Sequence, residues 1–116
     1  MNQKPRISED ILNQLFTVIC SRKEHGTKDS YTANLFEGGR QLIVRKVGEE
    51  AIECVVAGLA ETKEEIILES SDLIFHLMVL WADSGIVPKD VWRELSRRQG
   101  MSGLDEKKSR NKEGEM

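Results

Sequence analysis

Residues 66 to 82, IILESSDLIFHLMVLWA, limit the possible folds more than any other stretch of the chain. Wound as a helix, they spread Ile66, Ile67, Leu68, Leu73, Ile74, Phe75, Leu77, Met78, Val79, Leu80 and Trp81 around nearly the whole circumference. A helix that is apolar on all sides is normally buried. The run approaches the length of a membrane span, but Glu69, Asp72 and His76 interrupt it, and ionisable groups at that depth make insertion a poor reading. The expectation is a central helix covered by others.

The remaining helices can be read from their punctuation. Ser8 in SEDI offers an N-cap hydroxyl followed by two acids, and Ile11, Leu12, Leu15, Phe16 and Ile19 then recur at helical spacing to about Glu24. HGTKDS, residues 25 to 30, reads as a loop, and SYTANLFEGG as a short helix closed by Gly38 and Gly39. A third helix spans residues 40 to 60. Thr62, with Glu65 three residues on, has the pattern of a capping box and opens a fourth from Lys63 to Ser84, which Gly85 stops. Pro88 starts a fifth, with Val91, Trp92 and Leu95 as its apolar stripe. No segment alternates like a strand and no repeat is present, so the predicted fold is an all-α bundle of four to five helices.

With 116 residues the chain suits one domain, placed at residues 1–99, and the charged, Gly- and Ser-containing residues 100–116 are expected to form a disordered tail. A domain this small gains stability by burying surface in an oligomer, which makes a homodimer an expectation. The net charge of −3 offers no bulk attraction for nucleic acid or an anionic membrane, and neither is expected as a partner. Cys20 and Cys54 lack neighbours at metal-ligand spacing and read as small core residues in a reducing compartment. Residues 1 to 10 lack the apolar run of a secretory signal, so a cytoplasmic location is expected.

The acids are less ordinary. At about 100° per residue, Ile52, Val55, Val56 and Leu59 fall on one arc of the third helix, and Lys46, Glu49, Glu50 and Glu53 on the arc beside it. On the fourth helix a narrow line holds Glu65, Glu69, Asp72, His76 and Asp83. Glu50 with Glu53, and Glu69 with Asp72, are i, i+3 pairs that share a face. Surface acids usually serve solubility. A covered helix has little solvated face, however, and clustered carboxylates repel one another and resist desolvation without a cation. Four carboxylates from two helices make an all-oxygen set suited to Mg²⁺, with Mn²⁺ possible, and Mg²⁺ commonly takes phosphate oxygens as further ligands. A di-iron site would need Glu-x-x-His pairs that the chain lacks. A lone His on an apolar helix, such as His76, is more often a hydrogen-bonded core group, with an acid–base role left open.

Three segments together, SYTANLFEGG (30–39), KVGEEAIE (46–53) and ESSDLIFHLMVLWADSGI (69–86), resemble the phosphoribosyl-ATP pyrophosphatases, a family among the MazG-like all-α nucleotide pyrophosphatases. The superfamily pattern EExxE followed on the next helix by ExxD is filled by Glu49, Glu50, Glu53, Glu69 and Asp72. Phe75 stands where many relatives carry Tyr. The resemblance implies Mg²⁺-dependent hydrolysis of phosphoribosyl-ATP to phosphoribosyl-AMP and pyrophosphate, the second step of L-histidine biosynthesis, by a helical homodimer. A cyclohydrolase would then be a separate protein.

On that basis the metal ligands are expected to be Glu50, Glu53, Glu69 and Asp72, with Glu49 and Glu50 as catalytic residues, Glu49 either orienting the attacking water or standing behind the ligands. The expected substrate-binding residues are Lys46, Tyr31, Thr32, Arg45 and His76, with Lys28 and Arg40 as weaker phosphate contacts. Two other readings remain: a house-cleaning nucleoside triphosphate pyrophosphatase of the same superfamily, and a non-catalytic helical dimer whose acids only solubilise it.

Overall fold

The computed structural model describes residues 10–60, residues 62–99 and the isolated positions 103, 107, 108 and 110. Every regular element among them is a helix: α1 (Ile11–His25), α2 (Tyr31–Ala60), α3 (Lys63–Asp83) and α4 (Pro88–Arg98). The predicted N-cap Ser8 lies outside the described residues, as does most of the predicted tail. None of the described helices is long and apolar enough to cross a membrane.

Local chemistry accounts for most of the helix ends. The last turn of α1 carries the cations Arg22 and Lys23, suited to the negative end of the helix dipole, and His25. The chain then passes Ala33 so closely that a Cβ on Gly26 would lie 2.3 Å from both the Ala33 Cβ and the Arg22 carbonyl oxygen. Ser30 opens α2, its hydroxyl accepting the Ala33 amide at 3.1 Å. Thr62 opens α3 in the same way, accepting the Glu65 amide at 3.3 Å. At the other end of α3 the Ile86 amide reaches back to the Trp81 carbonyl at 2.9 Å, and Gly85 takes a φ of 74°, the left-handed conformation that such a helix stop requires. In α4 the Asp90 carboxylate accepts the Val87 amide at 3.1 Å.

The expected boundary at Gly38 and Gly39 is present as a break within α2. Gly39 has φ 85° and ψ −179°, a region open essentially to glycine alone. Arg40, just past the break, donates to the Asp83 carboxylate at 2.6 Å and to the Asp83 carbonyl at 3.2 Å, tying the second half of α2 to the end of α3. This commits Arg40 to a structural ion pair.

The second half of α2 and α3 form an antiparallel hairpin, and α1 packs across its Gly39 end. Ile19, Leu35, Ile43, Met78, Val79 and Ala82 make the core, with Leu12, Leu15, Phe16, Cys20, Phe36, Leu42, Phe75, Leu80 and Trp81 packed against it. Trp81 and Trp92 meet edge to face at 6.0 Å between ring centres, which anchors α4 on α3. Both cysteines are half-buried free thiols.

One expectation fails at the level of the single chain. α3 is not covered all round: it buries only His76, Met78, Val79 and Ala82, and leaves Ile66, Ile67, Leu68 and Ile74 exposed. The predicted apolar arc of α2 is exposed too, with Ile52, Val55 and Val56 open to solvent and Leu59 84% accessible. The reason is length. α1 has 15 residues and α4 has 11, too few to follow a hairpin whose second arm alone has 21. The end of the hairpin near Ala60 and Lys63 therefore projects beyond them.

Candidate active site

The hairpin brings the acids together. Carboxylate oxygens of Glu50 on α2 and of Glu69 and Asp72 on α3 all lie within 4.8 Å of one another. The i, i+3 spacing of Glu69 and Asp72 aligns them on one face, and α2, which ends at Ala60 just before α3 begins at Lys63, lies against α3 and brings Glu50 to them. Glu50 and Glu69 are half-buried, whereas Asp72 faces solvent. Glu53, one turn along α2, is exposed and lies outside this triad, although its charge still bears on Glu69. Glu69 registers the crowding. Desolvation, followed by repulsion from Asp72, Glu53, Glu50 and Glu65, raises its carboxyl above the ordinary value.

Glu49 is not part of this triad and is paired instead. Its carboxylate lies 3.3 Å from Lys46 Nζ and 3.7 Å from Arg45 Nε, in pairs formed along the same helix. The structure thus separates neighbouring acids into two groups: a triad that forms no ion pair with a basic side chain among the described residues, and an acid held between two bases. Lys46 is the less exposed of those bases and stands one turn before Glu50.

Tyr31 and His76 meet beside Asp72. The Tyr31 hydroxyl lies 2.8 Å from His76 Nε2, and His76 Nδ1 lies 2.7 Å from the main-chain oxygen of Asp72. Phe75 packs edge-on against the imidazole at 5.1 Å and stacks on Tyr31 at 6.3 Å. Burial raises the Tyr31 phenol above its ordinary value. Lys46 opposes this, and Glu50, Glu49 and Asp72 add to it, which locates the hydroxyl beside the acids. Thr32 follows Tyr31 in the first turn of α2 and is half-buried.

Sequence reasoning named Tyr31 and His76 separately but missed their bond, because no periodicity links residues 45 positions apart. It also missed a cleft of about 420 Å³ between α1, the start of α2 and the end of α3. Arg22, Lys23, Lys28, Glu37 and Asp83 line it, and Lys23 reaches the Ala82 carbonyl at 3.3 Å across the Phe36 ring. Lys28 therefore borders this cleft. Its charges are of both signs.

An all-oxygen triad drawn from two helices is a donor set that fits a hard divalent cation. The rest of the chain places it among known proteins. Residues 12–99 match the family described as phosphoribosyl-ATP pyrophosphohydrolase. A protein of Paramagnetospirillum magneticum named phosphoribosyl-ATP pyrophosphatase is 58% identical over 102 residues, which cover 88% of this chain and 94% of the relative. A Rhodospirillum rubrum protein of the same name is 51% identical over 93% of this chain and 92% of its own. One from Saccharolobus solfataricus is 46% identical over 80% of this chain and 99% of its own. Taken with the matched span, these identities show that the chain belongs to the phosphoribosyl-ATP pyrophosphohydrolase family.

Proposed function

We propose that this chain hydrolyses phosphoribosyl-ATP to phosphoribosyl-AMP and pyrophosphate, the second step of L-histidine biosynthesis, as a cytoplasmic homodimer that uses Mg²⁺, or Mn²⁺ in its place. The observation that carries the reading is the convergence of Glu50, Glu69 and Asp72 oxygens within 4.8 Å, in a chain of this family. Three like charges so close favour a divalent cation among them, and a triphosphate favours the same ion. Glu53 would join them as a fourth ligand by rotating its exposed side chain. The bound ion supplies charge neutralisation and Lewis-acid polarisation of phosphoryl oxygens.

The chain's own groups do the rest. Lys46 offers a point charge to a phosphate oxygen, and in doing so exchanges Glu49 for the substrate. Glu49, released from Lys46, can accept a proton from the attacking water or orient it, while Arg45 keeps its carboxylate near the site. Tyr31, open beside the acids, is the group against which the nucleoside part would rest, with the half-buried Thr32 next to it in sequence and the buried His76 bonded behind it. Product formation cleaves the anhydride between the α and β phosphorus atoms. Water adds its hydroxyl to one phosphorus, the bridging oxygen departs with the other, and the remaining proton passes by way of Glu49 to the bulk.

The second copy is proposed from the exposed apolar face of α2 and α3, which adjoins the acids. Pyrophosphate release from phosphoribosyl-ATP, compared with dCTP, dUTP and ATP and titrated with Mg²⁺ and a chelator, tests the whole reading. It expects phosphoribosyl-ATP to be preferred and turnover to stop in chelator. Equal or faster hydrolysis of the ordinary triphosphates would make the house-cleaning activity the correct one.

A further inference from the structure

We propose that the Tyr31–His76 pair presents the site with a hydrogen-bond acceptor of fixed polarity, so that Tyr31 recognises a neutral donor on the substrate, a sugar hydroxyl or a base amino group, and His76 is the positioning residue that sets that polarity. The identity of the substrate rests on the pyrophosphatase reading; the polarity does not.

The inference follows from which atoms can donate. His76 is buried, with 5% of its surface accessible, and its Nδ1 lies 2.7 Å from the Asp72 main-chain oxygen. A carbonyl oxygen can only accept, so Nδ1 carries the hydrogen. In the neutral ring Nε2 is then a lone pair, and the contact at 2.8 Å is the Tyr31 hydroxyl donating to it. With its only hydrogen committed, the phenol oxygen keeps lone pairs alone for anything that arrives.

The Tyr31 side chain is otherwise open, at 51% accessible, beside Lys46, Glu50, Glu49 and Asp72. Phosphate oxygens have no hydrogen to give it. A hydroxyl or amino group does. The ring itself is held in place, stacked on Phe75 and edge-on to the imidazole at 5.8 Å, so little side-chain freedom is lost when the donor binds.

Two measurements on the full chain decide the matter. The first is the ¹⁵N spectrum of the imidazole nitrogens at pH 7.5, with His25→Ala, an exposed position whose side chain lies beside Glu24, used to assign the two histidines. The expected pattern for His76 is a protonated Nδ1 and an unprotonated Nε2. A protonated Nε2 overturns the proposal, because Tyr31 would then be accepting from His76. The second is steady-state kinetics of Tyr31→Phe with phosphoribosyl-ATP. KM should rise about tenfold, the loss of one hydrogen bond, with kcat within about twofold.

His76→Gln should raise KM in the same direction, and the double variant should be no worse than Tyr31→Phe alone, since His76 acts through Tyr31. An unchanged KM in Tyr31→Phe, or losses that multiply in the double variant, overturns the proposal. Analogues carrying deoxyribose or a base without an amino group separate the two donors, because only the one that Tyr31 reads loses its penalty in Tyr31→Phe. Should the wild-type chain fail to turn over phosphoribosyl-ATP, the substrate assignment falls, and the nitrogen spectrum of the protein alone still decides the polarity.

Discussion

Among the acids, Glu69 is the one whose behaviour is most exposed to test without any substrate. Its carboxyl is raised above the ordinary value by desolvation and by Asp72, Glu53, Glu50 and Glu65. A folded-state pKa above the unfolded one means the folded protein holds this proton more tightly. The associated stability is therefore complete below the unfolded value and is lost as pH climbs through the raised one. In chelator, Glu69→Gln should accordingly melt at a higher temperature than wild type at pH 7, with the gap closing as pH falls into the carboxylate range. Mg²⁺ should raise the melting temperature of wild type and do less for the variant; identical melting curves at all pH values would mean that the acids are not crowded. Glu50→Gln and Asp72→Asn carry the functional counterpart. Each is expected to lower kcat by about a hundredfold or more in a pyrophosphate-release assay, as removing a stabiliser of developing charge does. Turnover close to wild type in either would remove the triad from the chemistry. That Glu69 and Asp72 share a face was legible in the sequence because i, i+3 spacing fixes it, whereas Glu50 has that spacing with Glu53, which lies outside the triad, and meets the other two only through the packing of α2 on α3. The pairing of Glu49 with Arg45 and Lys46 is equally local and was within reach of the same reasoning. The Tyr31–His76 bond was not, since only the packed fold brings those rings together.

Helix ends were the most readable features, for a simple reason: each is decided by a few adjacent residues. Thr62 caps α3, Gly85 stops it and Pro88 begins α4, all at positions that the residue types alone select. The break at Gly39 is of the same kind, and its cost can be measured. At φ 85° and ψ −179° a Cβ is strained even though nothing lies within 4 Å of where it would stand. Gly39→Ala should lose about 1–3 kcal/mol in denaturant unfolding. Gly48 supplies the contrast, being helical and equally uncrowded. Gly48→Ala should therefore gain about 0.5–1 kcal/mol by restricting the unfolded chain. A loss at Gly48 instead would mean that another surface packs against it. What the helix patterns did not reveal was which apolar face each element covers within one chain, because a face that avoids water carries no label for the chain that covers it.

That missing label is the question at the scale of the whole molecule. Ile52, Val55, Val56 and Leu59, which share a stripe of α2, and Ile66, Ile67 and Leu68 at the start of α3 are all exposed at the hairpin end, beyond the reach of α1 and α4. Contiguous apolar surface of this sort is rarely left to solvent in a monomer, and a stable interface needs on the order of 1,000 Å² or more in total. A second copy brought against the same face would bury these side chains and place its own α2 and α3 near Glu50, Glu69 and Asp72, coupling assembly to the acids. Light scattering on the purified chain should then give about twice the 13.2 kDa chain mass, with a melting temperature that rises with protein concentration. Val55→Asp adds a charge at the middle of the face without altering the core residues Ile43, Met78 and Val79. It should shift the mass toward one chain and lower Mg²⁺-dependent turnover together, while leaving helical content from circular dichroism near wild type. A variant that becomes monomeric yet keeps full activity would separate assembly from the site. A wild-type chain that scatters as a monomer at about 100 μM, well above the range of tight interfaces, would require these seven side chains to be covered by something other than a copy of itself.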